Sequence, residues 1–524
     1  MTRKGTKRKP EYKQMAFETA VRNPERYLEI LTALKDFDGI VLNDENLLDI
    51  VSHLYLKKIV KSDKIKIDET TTINDIKDLV IEVNSTRNSD GGFPKGYPAR
   101  FWTYMRTPSE LGFVYARYGE VFRFSEIAKK LVNTDIDEQE AFSIQSMKYN
   151  RKNPYRNVSN DFNFFRFILQ VLLKLREKGR SLSYEQFIVA MFSKDGNVDD
   201  FLKIIDENAF PDFDSAYDFV KKEYGVTTKF KTVTRDYPDV VRRVLIISGF
   251  ITIRFIGKKL IQINENKLEY IKDLLSIDFE LTETEKTQAK DYFEKLDSVN
   301  KPFIKLILKY REQDKIDGEI YRNQIFDIIK TYEIDEEKIT ESINKIGSRK
   351  TVIEEFKEIP EPLKLEFFIA ILIALKYGKQ FAIRPNYKAD HIGKPYSYAL
   401  GNKGDIEIFS KQIYWLIEVT LIRNKTQQLN NETTSVIRHL YSNEEFAGRL
   451  KKYLSFVAPV VHQDVREFYH YSIVQSKSKG YEVNLKPYQI NEFVEITLKK
   501  ENFADMEQYT RNVIDEFKRN LDLT

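Results

Sequence analysis

The chain has 524 residues, too many for one hydrophobic core, and domain-size statistics predict about three domains. It contains no cysteine, which excludes disulfides and cysteine-ligated zinc and favours a reducing, cytoplasmic compartment. The net charge of +4 does not by itself indicate a polyanionic partner, and the longest apolar run, residues 367–375, is too short to span a bilayer.

The first half of the chain carries signals for helices and a few short strands. Residues 1–10 are basic but lack the apolar segment of a secretory signal, so they are expected to form a flexible arm. Apolar residues at helical spacing predict helices within residues 24–60. Two alternating aromatic runs meet at residues 118–120, which predicts a hairpin, and the sequence SYEQ at 183–186 predicts a capped helix start.

A helix–strand–turn–strand pattern follows near residue 240. Residues 239–247 have helical spacing, residues 250–256 and 260–263 read as strands, and the basic turn GKK lies between them. This order is typical of a winged-helix unit. The fold class predicted for residues 1–265 is therefore mainly α, with winged-helix-like units.

The remaining sequence divides into a helical stretch and an α/β region. Residues 266–350 are helical in pattern and highly charged, which predicts a helical linker. Residues 363–375 form a helix that is apolar on all sides and should be buried. Helix and strand signals alternate after it, which predicts an α/β domain over residues 351–524.

Two neighbouring strands of this α/β region carry acids among apolar residues. They are GDIEIF, residues 404–409, and IYWLIEVT, residues 413–420. Alternation places Asp405 and Glu407 on one face of the first strand and Glu418 on one face of the second. A buried carboxylate is costly unless a positive group pairs with it, and Mg²⁺ prefers carboxylate oxygens. The pattern therefore indicates a metal-dependent nuclease that activates water beside a phosphodiester.

Three further residues lie on helices that flank these strands. Glu366 is near the start of the apolar helix, and Glu432 and His439 are seven residues apart on the following helix, two turns along the same face. An acid on each element would form a convergent, cation-binding cluster. The alternatives are that Glu366 and Glu432 are helix-start acids favoured by the macrodipole, and that His439 is an ordinary surface histidine.

These residues carry a resemblance to a known family. ALGNKGDIE at 399–407, EVT at 418–420 and the segment 432–439 resemble the cleavage domain of the AlwI family of type IIS restriction and nicking endonucleases. The resemblance is strongest over residues 360–480. It implies a DNA-recognition region at 1–265, a linker at 266–350 and a nuclease domain of the PD-(D/E)XK fold at 351–524. Such enzymes cut DNA at a fixed distance to one side of an asymmetric site.

The resemblance also implies roles for individual residues. Asp405, Glu418 and Val419 would be ligands of Mg²⁺, for which Mn²⁺ is expected to substitute. Glu432 would be a further acid of the site and Glu366 an outer ligand. His439 would position a water or a phosphate.

This chain departs from the wider nuclease pattern at two positions. Gly404 stands where a proline usually precedes the first Asp, a change that is expected to matter little. Thr420 stands where a lysine usually stabilises negative charge or orients water. A second metal ion, Glu432 or His439 could share that task, and the sequence leaves the three alternatives open.

The partner implied by the resemblance is double-stranded DNA with an asymmetric site. Basic and aromatic segments of the N-terminal half offer candidate backbone contacts: Lys95, Arg100, Arg106, Lys148, Arg151, Lys229, Lys231 and Arg235. For any one of them, a solvated surface charge is the favoured interpretation. Cutting both strands would need a second cleavage domain, from another copy or a small partner subunit. The rival hypothesis is a non-catalytic winged-helix regulator with an inactive nuclease-like domain, and a structural scaffold is a more distant third.

Overall fold

The structure, a computed structural model, describes residues 11–61, 65–68, 70–85, 98–314, 320–348, 350–398, 403–442, 451–480 and 483–522. The basic segment 1–10 lies outside these residues. The chain divides into two compact units, Met1–Tyr310 and Arg311–Thr524. None of the helices in the described part of the chain combines the length and apolarity that a membrane crossing requires.

The N-terminal unit is built mainly of helices around one large apolar core. Its helices are α1 Arg26–Leu34, α2 Asp44–Leu56, α3 Ile73–Ser85, α4 Pro98–Glu110, α5 Glu126–Val132, α6 Glu138–Lys148, α7 Phe164–Glu177, α8 Tyr184–Ala190, α9 Val198–Glu207, α10 Phe213–Tyr224, α11 Tyr237–Ile247, α12 Leu268–Ser276, α13 Glu283–Thr287, α14 Ala289–Ser298 and α15 Asn300–Asp314. Its strands are β1 Val114–Tyr115, β2 Arg123–Phe124, β3 Leu182–Ser183, β4 Ile251–Ile256 and β5 Lys258–Ile263.

Local signals in the sequence account for several of these elements. β1 and β2 pair antiparallel on either side of the predicted 118–120 turn. Ser183 and Gln186 form the predicted capping box at the start of α8, each side chain bonded to the other's backbone N–H. The predicted hairpin and the predicted helix start are both confirmed.

A three-stranded sheet lies beside α8 and α11, with the strand order β3-β5-β4. The hairpin of β4 and β5 turns at Gly257 alone, whose φ of +68° suits a residue without a side chain. Lys258 already pairs with Ile256, so Lys258 and Lys259 belong to the strand and not to the predicted turn. The winged-helix assignment of this region stays a prediction.

Residues 266–310 pack against the rest of the N-terminal unit. The Tyr292 hydroxyl donates to the Glu110 carbonyl at 2.7 Å, and Arg166 donates to the carbonyls of Leu275 and Ile277 at 3.1 and 2.7 Å. The division at Tyr310 therefore falls inside the predicted linker. The three-part scheme of 1–265, 266–350 and 351–524 stays a prediction.

The C-terminal unit is an α/β structure, as predicted. Its helices are α16 Ile320–Thr331, α17 Glu336–Asn344, α18 Glu361–Tyr377, α19 Lys425–Gln427, α20 Thr434–Ser442, α21 Gln463–Ser478, α22 Ile490–Leu498 and α23 Asn502–Asp522, with a π-helix at Gln428–Thr433. Its strands are β6 Ala382–Pro385, β7 Lys388–Ala389, β8 Pro395–Ser397, β9 Ile406–Phe409, β10 Ile413–Val419, β11 Lys451–Ala458 and β12 Val483–Gln489.

Five of these strands form one mixed sheet in the order β12-β11-β10-β9-β6. β10, β11 and β12 run parallel, whereas β9 pairs antiparallel with both β10 and β6. One face packs with α18 and α22 around Ile408, Trp415 and Ile417. The other face packs with α20 and α21 around Tyr414 and Leu416. The sheet is thus covered by helices on both faces.

The apolar helix α18 is buried along almost its whole length, as predicted. Pro362 occupies the first turn, where its missing N–H costs no hydrogen bond. Residues from Leu363 to Ala374 contact the sheet, α16, α17 or α22, so every side of the helix meets another element.

Candidate active site

The antiparallel pairing of β9 and β10 sets two acids across from each other. The last register pair is Ile406 with Ile417, so Asp405, one residue before β9, stands opposite Glu418. Because side chains alternate along a strand, both acids lie on the face that carries Leu416. The predicted convergence of Asp405 and Glu418 at one end of the strand pair is what the structure shows.

A direct hydrogen bond fixes the Asp405 side chain. Its Oδ2 accepts the backbone N–H of Val419 at 2.8 Å, which brings the carboxylate beside the residue that follows Glu418. The Asp405 carbonyl accepts the N–H of Asn386 at 2.9 Å, so the backbone is held as well. Val419 can offer a metal only its carbonyl oxygen, and this bond places that residue next to Asp405.

Gly404 leaves room for the second acid. A Cβ at this position would lie 2.8 Å from Glu418 Oε1 and would overlap the Leu416 side chain. The sequence had suggested that glycine in place of the usual proline matters little. The close approach of the Glu418 carboxylate gives the glycine a steric reason instead.

Glu418 is buried and bonded to His439. The carboxylate is 5% exposed, and its Oε1 lies 2.8 Å from His439 Nδ1. His439 reaches it because Val436 and Leu440 anchor α20 on the same face of the sheet. The two residues are 21 positions apart in the sequence, and the structure brings them together. The predicted shared helix face of Glu432 and His439 stays a prediction, because the Glu432 side chain lies outside the described residues.

Glu407, the other acid on this face, is buried and bonded to an arginine and a tyrosine of the protein. It is 1% exposed, and its Oε2 accepts from Arg384 Nε and Nη2 at 2.8 and 2.7 Å. Its Oε1 accepts from the Tyr414 hydroxyl at 3.0 Å. A buried acid on the strand is therefore not sufficient evidence of a metal ligand, because Glu407 is neutralised by an arginine.

Thr420 does not take over the role of a lysine. It is buried, its N–H donates to the Val457 carbonyl at 3.0 Å, and its Oγ1 accepts the N–H of Ile422 at 3.2 Å. The hydroxyl thus serves the turn after β10. Among the side chains that the structure describes, His439 contacts Glu418.

The other two acids predicted for the site are Glu366 and Glu432. Glu366 is buried in α18, the helix that covers the opposite face of the sheet from Glu418. Its role as an outer ligand stays a prediction. The backbone of Glu432 belongs to the π-helix Gln428–Thr433, but its side chain lies outside the described part of the structure.

The donors that meet at this site suit a hard cation. Asp405 and Glu418 supply carboxylate oxygens and Val419 a carbonyl oxygen, which is the ligand chemistry of Mg²⁺ and not of a soft metal. Within the described ranges no group of three or more His, Cys, Asp or Glu side chains could hold a metal ion. Mg²⁺ sites in proteins commonly use one or two carboxylates together with water and substrate phosphate.

The sequence reasoning missed two residues that hold the loops beside this site. Gln428 donates to the carbonyls of Ile422 and Val460, and His462 Nε2 lies 2.9 Å from the Arg423 carbonyl. No spacing rule singles them out, because their partners are backbone carbonyls on other segments of the chain.

Two residues predicted to contact DNA are buried inside the N-terminal unit, so the prediction was wrong for them. Lys148 is fully buried, and its Nζ donates to the Leu296 carbonyl at 2.8 Å and to Asn300 Oδ1 at 2.6 Å. Arg151 is 3% exposed and donates to the carbonyls of Lys13 and Gln14. Both side chains hold neighbouring segments of the N-terminal unit and do not reach its surface.

The other predicted contacts are at the surface where they are described. Arg100, Lys229, Lys231 and Arg235 are exposed. Arg106 is 45% exposed and lies 3.8 Å from Glu110, so part of its charge is already compensated. Lys95 lies outside the described residues. These positions are accessible to a polyanion, which is a requirement for the predicted role but not a test of it.

Comparison with known proteins identifies the family. The model of the AlwI restriction endonuclease family matches residues 109–313 and 278–496. The two matches together span most of the chain and include Asp405, Glu418 and His439. They confirm the resemblance that the strand and helix motifs had indicated. No curated protein matches the chain.

Two solved structures show weaker similarity. The small subunit of the heterodimeric restriction endonuclease R.BspD6I is 16% identical, with a TM-score of 0.25, over 35% of this chain and 98% of that one. The BpuJ1 endonuclease binding domain, crystallised with pyrene- and phenanthrene-modified DNA, is 13% identical, with a TM-score of 0.34, over 56% of this chain and 97% of that one.

Proposed function

The chain belongs to the AlwI restriction endonuclease family, and from this we propose that it is a Mg²⁺-dependent type IIS deoxyribonuclease. It would recognise an asymmetric DNA site and hydrolyse a phosphodiester at a fixed distance to one side. The observation that carries the proposal is the arrangement around β10. Asp405 is bonded to the Val419 N–H, and Glu418 to His439, so both acids are held at one end of the strand.

We assign the metal-binding role to Asp405, Glu418 and the carbonyl of Val419. Bound there, Mg²⁺ would lower the pKa of a coordinated water and neutralise charge on the scissile phosphate. The chain's own contribution is to hold both carboxylates in place before DNA arrives. The Val419 N–H orients Asp405, and Gly404 leaves space for Glu418. Mn²⁺ is expected to substitute, since it also takes carboxylate and carbonyl oxygens.

His439 is proposed to share the task of the missing lysine. Its Nδ1 is 2.8 Å from Glu418 Oε1, so it limits the orientations of that carboxylate. Its imidazole is proposed to position a water or a phosphate oxygen, since a histidine has two distinct ring nitrogens. Glu432 stays a candidate for the same task, and Glu366 a candidate outer ligand.

DNA recognition is proposed for the N-terminal unit. Its sheet order β3-β5-β4, with α8 after β3 and α11 before the β4–β5 hairpin, supports the winged-helix interpretation. Exposed Lys229, Lys231 and Arg235 precede α11, and Arg100 lies in α4. Lysine and arginine at these positions could bind DNA phosphates, which would make binding steeply salt-dependent.

One cleavage site of this kind hydrolyses one strand. Cutting both strands would need a second site, from another copy of the chain or from a partner subunit. The proposed activity is therefore a nick at a fixed offset when the chain acts alone.

The test is to incubate supercoiled plasmid with the protein and Mg²⁺, and to determine the product ends by sequencing. Ends at one fixed offset from a common asymmetric sequence support the proposal, and their presence on one or both strands distinguishes nicking from double-strand cutting. Specific DNA binding without any Mg²⁺-dependent product would favour the non-catalytic regulator instead.

A further inference from the structure

Gln428 connects two loops that border the candidate active site. Its side chain is fully buried, and its Nε2 donates to two backbone carbonyls, those of Ile422 and Val460, at 2.7 Å each. Both bonds are short and come from the same amide nitrogen. The amide thus uses both of its N–H groups on the main chain of two separate segments.

The two loops begin where neighbouring parallel strands end. Ile422 follows β10, four residues after Glu418, and Val460 follows β11, two residues after its end at Ala458. The carboxyl ends of adjacent parallel strands form the crevice in which α/β sheets place their ligands. Gln428 joins the two sides of that crevice from within the protein.

The same residue begins the π-helix that leads, through α20, to His439. The π-helix Gln428–Thr433 runs into α20, which carries His439 to Glu418. Single turns of π-helix are rare in proteins, and those that occur are often found at functional sites. A displacement at Gln428 would therefore move both the loop after Glu418 and the helix that presents its histidine partner.

Two neighbouring contacts support the loops from nearer the surface. His462 Nε2 lies 2.9 Å from the Arg423 carbonyl, and Lys425 pairs with Asp464 at 2.9 Å. The Lys425 and Asp464 side chains are 35% and 45% exposed, and an exposed pair of this kind contributes about 0–1 kcal/mol. Gln428 supplies a link through a buried side chain, and its loss would leave the carbonyls of Ile422 and Val460 without their amide donor.

We propose that Gln428 is a positioning residue for phosphodiester cleavage, which sets the distance between Glu418 and His439 through the loops after β10 and β11. The role in cleavage rests on the proposed function. The effect of Gln428 on the two loops does not. The positioning role requires both N–H donors of the Gln428 amide. Methionine keeps the length and volume without donors, and glutamate replaces the donors by oxygens that would repel both carbonyls.

The experiment compares Gln428→Met and Gln428→Glu with the wild-type chain in Mg²⁺-dependent plasmid cleavage. The matched control is Gln463→Met in α21, whose exposed amide donates to Glu467 at 3.2 Å. For both Gln428 variants kcat should fall about tenfold or more while KM stays within about twofold. The control should retain both constants.

Hydrogen exchange provides a readout that does not depend on cleavage. Amides of residues 420–442 should exchange faster in Gln428→Met, and those of α21 should be unchanged. If the Met protein does not fold, Gln428→Asn carries the same readouts, because it keeps the amide but withdraws it by one methylene.

The outcomes separate the two proposals. A wild-type chain that does not cut would overturn the proposed function, and the exchange result would still decide whether Gln428 holds the loops. Wild-type kcat and unchanged exchange in Gln428→Met would overturn the positioning role. A rise in KM with unchanged kcat would also overturn it, since that result would assign Gln428 to DNA binding.

Discussion

At the scale of single residues, two acids with the same side-chain direction have different environments. Glu407 and Glu418 both point to one face of the sheet, yet Glu407 is paired with Arg384 and Glu418 with His439. The strand alternation predicted their common face from the sequence. The arginine on β6 could not be assigned to Glu407 in advance, because the pairing of β6 with β9 depends on tertiary structure.

The first prediction follows from the Arg384 ion pair. Glu407→Gln should leave DNA cleavage near the wild-type rate but lower the stability of the C-terminal unit by roughly 1–3 kcal/mol, since the partly buried Arg384 guanidinium loses its charged partner. Thermal denaturation and plasmid cleavage of the same preparation test this. Loss of cleavage without loss of stability would instead make Glu407 part of the site.

Gly404 gives a second prediction. Gly404→Ala places a methyl group where Glu418 Oε1 now approaches, at 2.8 Å from the new carbon. The Glu418 carboxylate must move, so cleavage should slow about tenfold, which corresponds to about 1.4 kcal/mol of barrier. The neighbouring exposed residue supplies the control, Lys403→Ala, which should cut like the wild type. Equal cleavage rates for both variants would show that the added methyl group does not displace the Glu418 carboxylate from its working position.

At the scale of elements, the sequence predicted most helices and strands but placed several ends incorrectly. β5 begins at Lys258 because Gly257 alone makes the turn, a fact that the run of two lysines concealed. α21 extends from Gln463 to Ser478 and packs against β12. Such ends are decided by the neighbouring element, whereas the apolar period only shows that a helix exists.

A third prediction concerns the contact of α6 with α14 and α15. Burial lowers the pKa of Lys148 from 10.5 to about 7, although the nearby acids Asp297 and Glu126 oppose this shift. Between these two values the unfolded chain binds a proton that the folded chain has released. Stability should therefore rise with pH across this window.

The measurement is the melting temperature of the wild-type chain and of Lys148→Met from about pH 7 to about pH 9.5. The variant loses the hydrogen bonds to Leu296 and Asn300 at every pH, which is a constant offset. The advantage of the wild type over the variant should grow as pH rises. A difference that stays constant would mean that Lys148 keeps its charge in the folded chain.

At the scale of the whole molecule, the boundary between the two units lies at a different position from the change in sequence pattern. The charged helical pattern starts near residue 266, but residues 266–310 pack with the N-terminal unit. Helical period alone could not show this, since it records which face is apolar and not which partner covers it. The family match predicted from the motifs was confirmed over most of the chain.

A fourth prediction compares fragments 1–310 and 1–265. Both should bind DNA without cutting it, because Asp405 and Glu418 are absent from both. The longer fragment should melt at the higher temperature, since only it keeps the Tyr292, Leu275 and Leu296 contacts. Equal melting temperatures would support a boundary at residue 265.

The central claim is that Asp405 and Glu418 together support metal-dependent hydrolysis of DNA at a specific site. The most direct measurement is cleavage of supercoiled plasmid by the wild type and by Asp405→Asn, each with Mg²⁺ and with EDTA, alongside binding to the same DNA. We expect discrete products only from the wild type with Mg²⁺, and equal DNA binding by both proteins. Discrete products from Asp405→Asn at the wild-type rate, or from the wild type in EDTA, would contradict it.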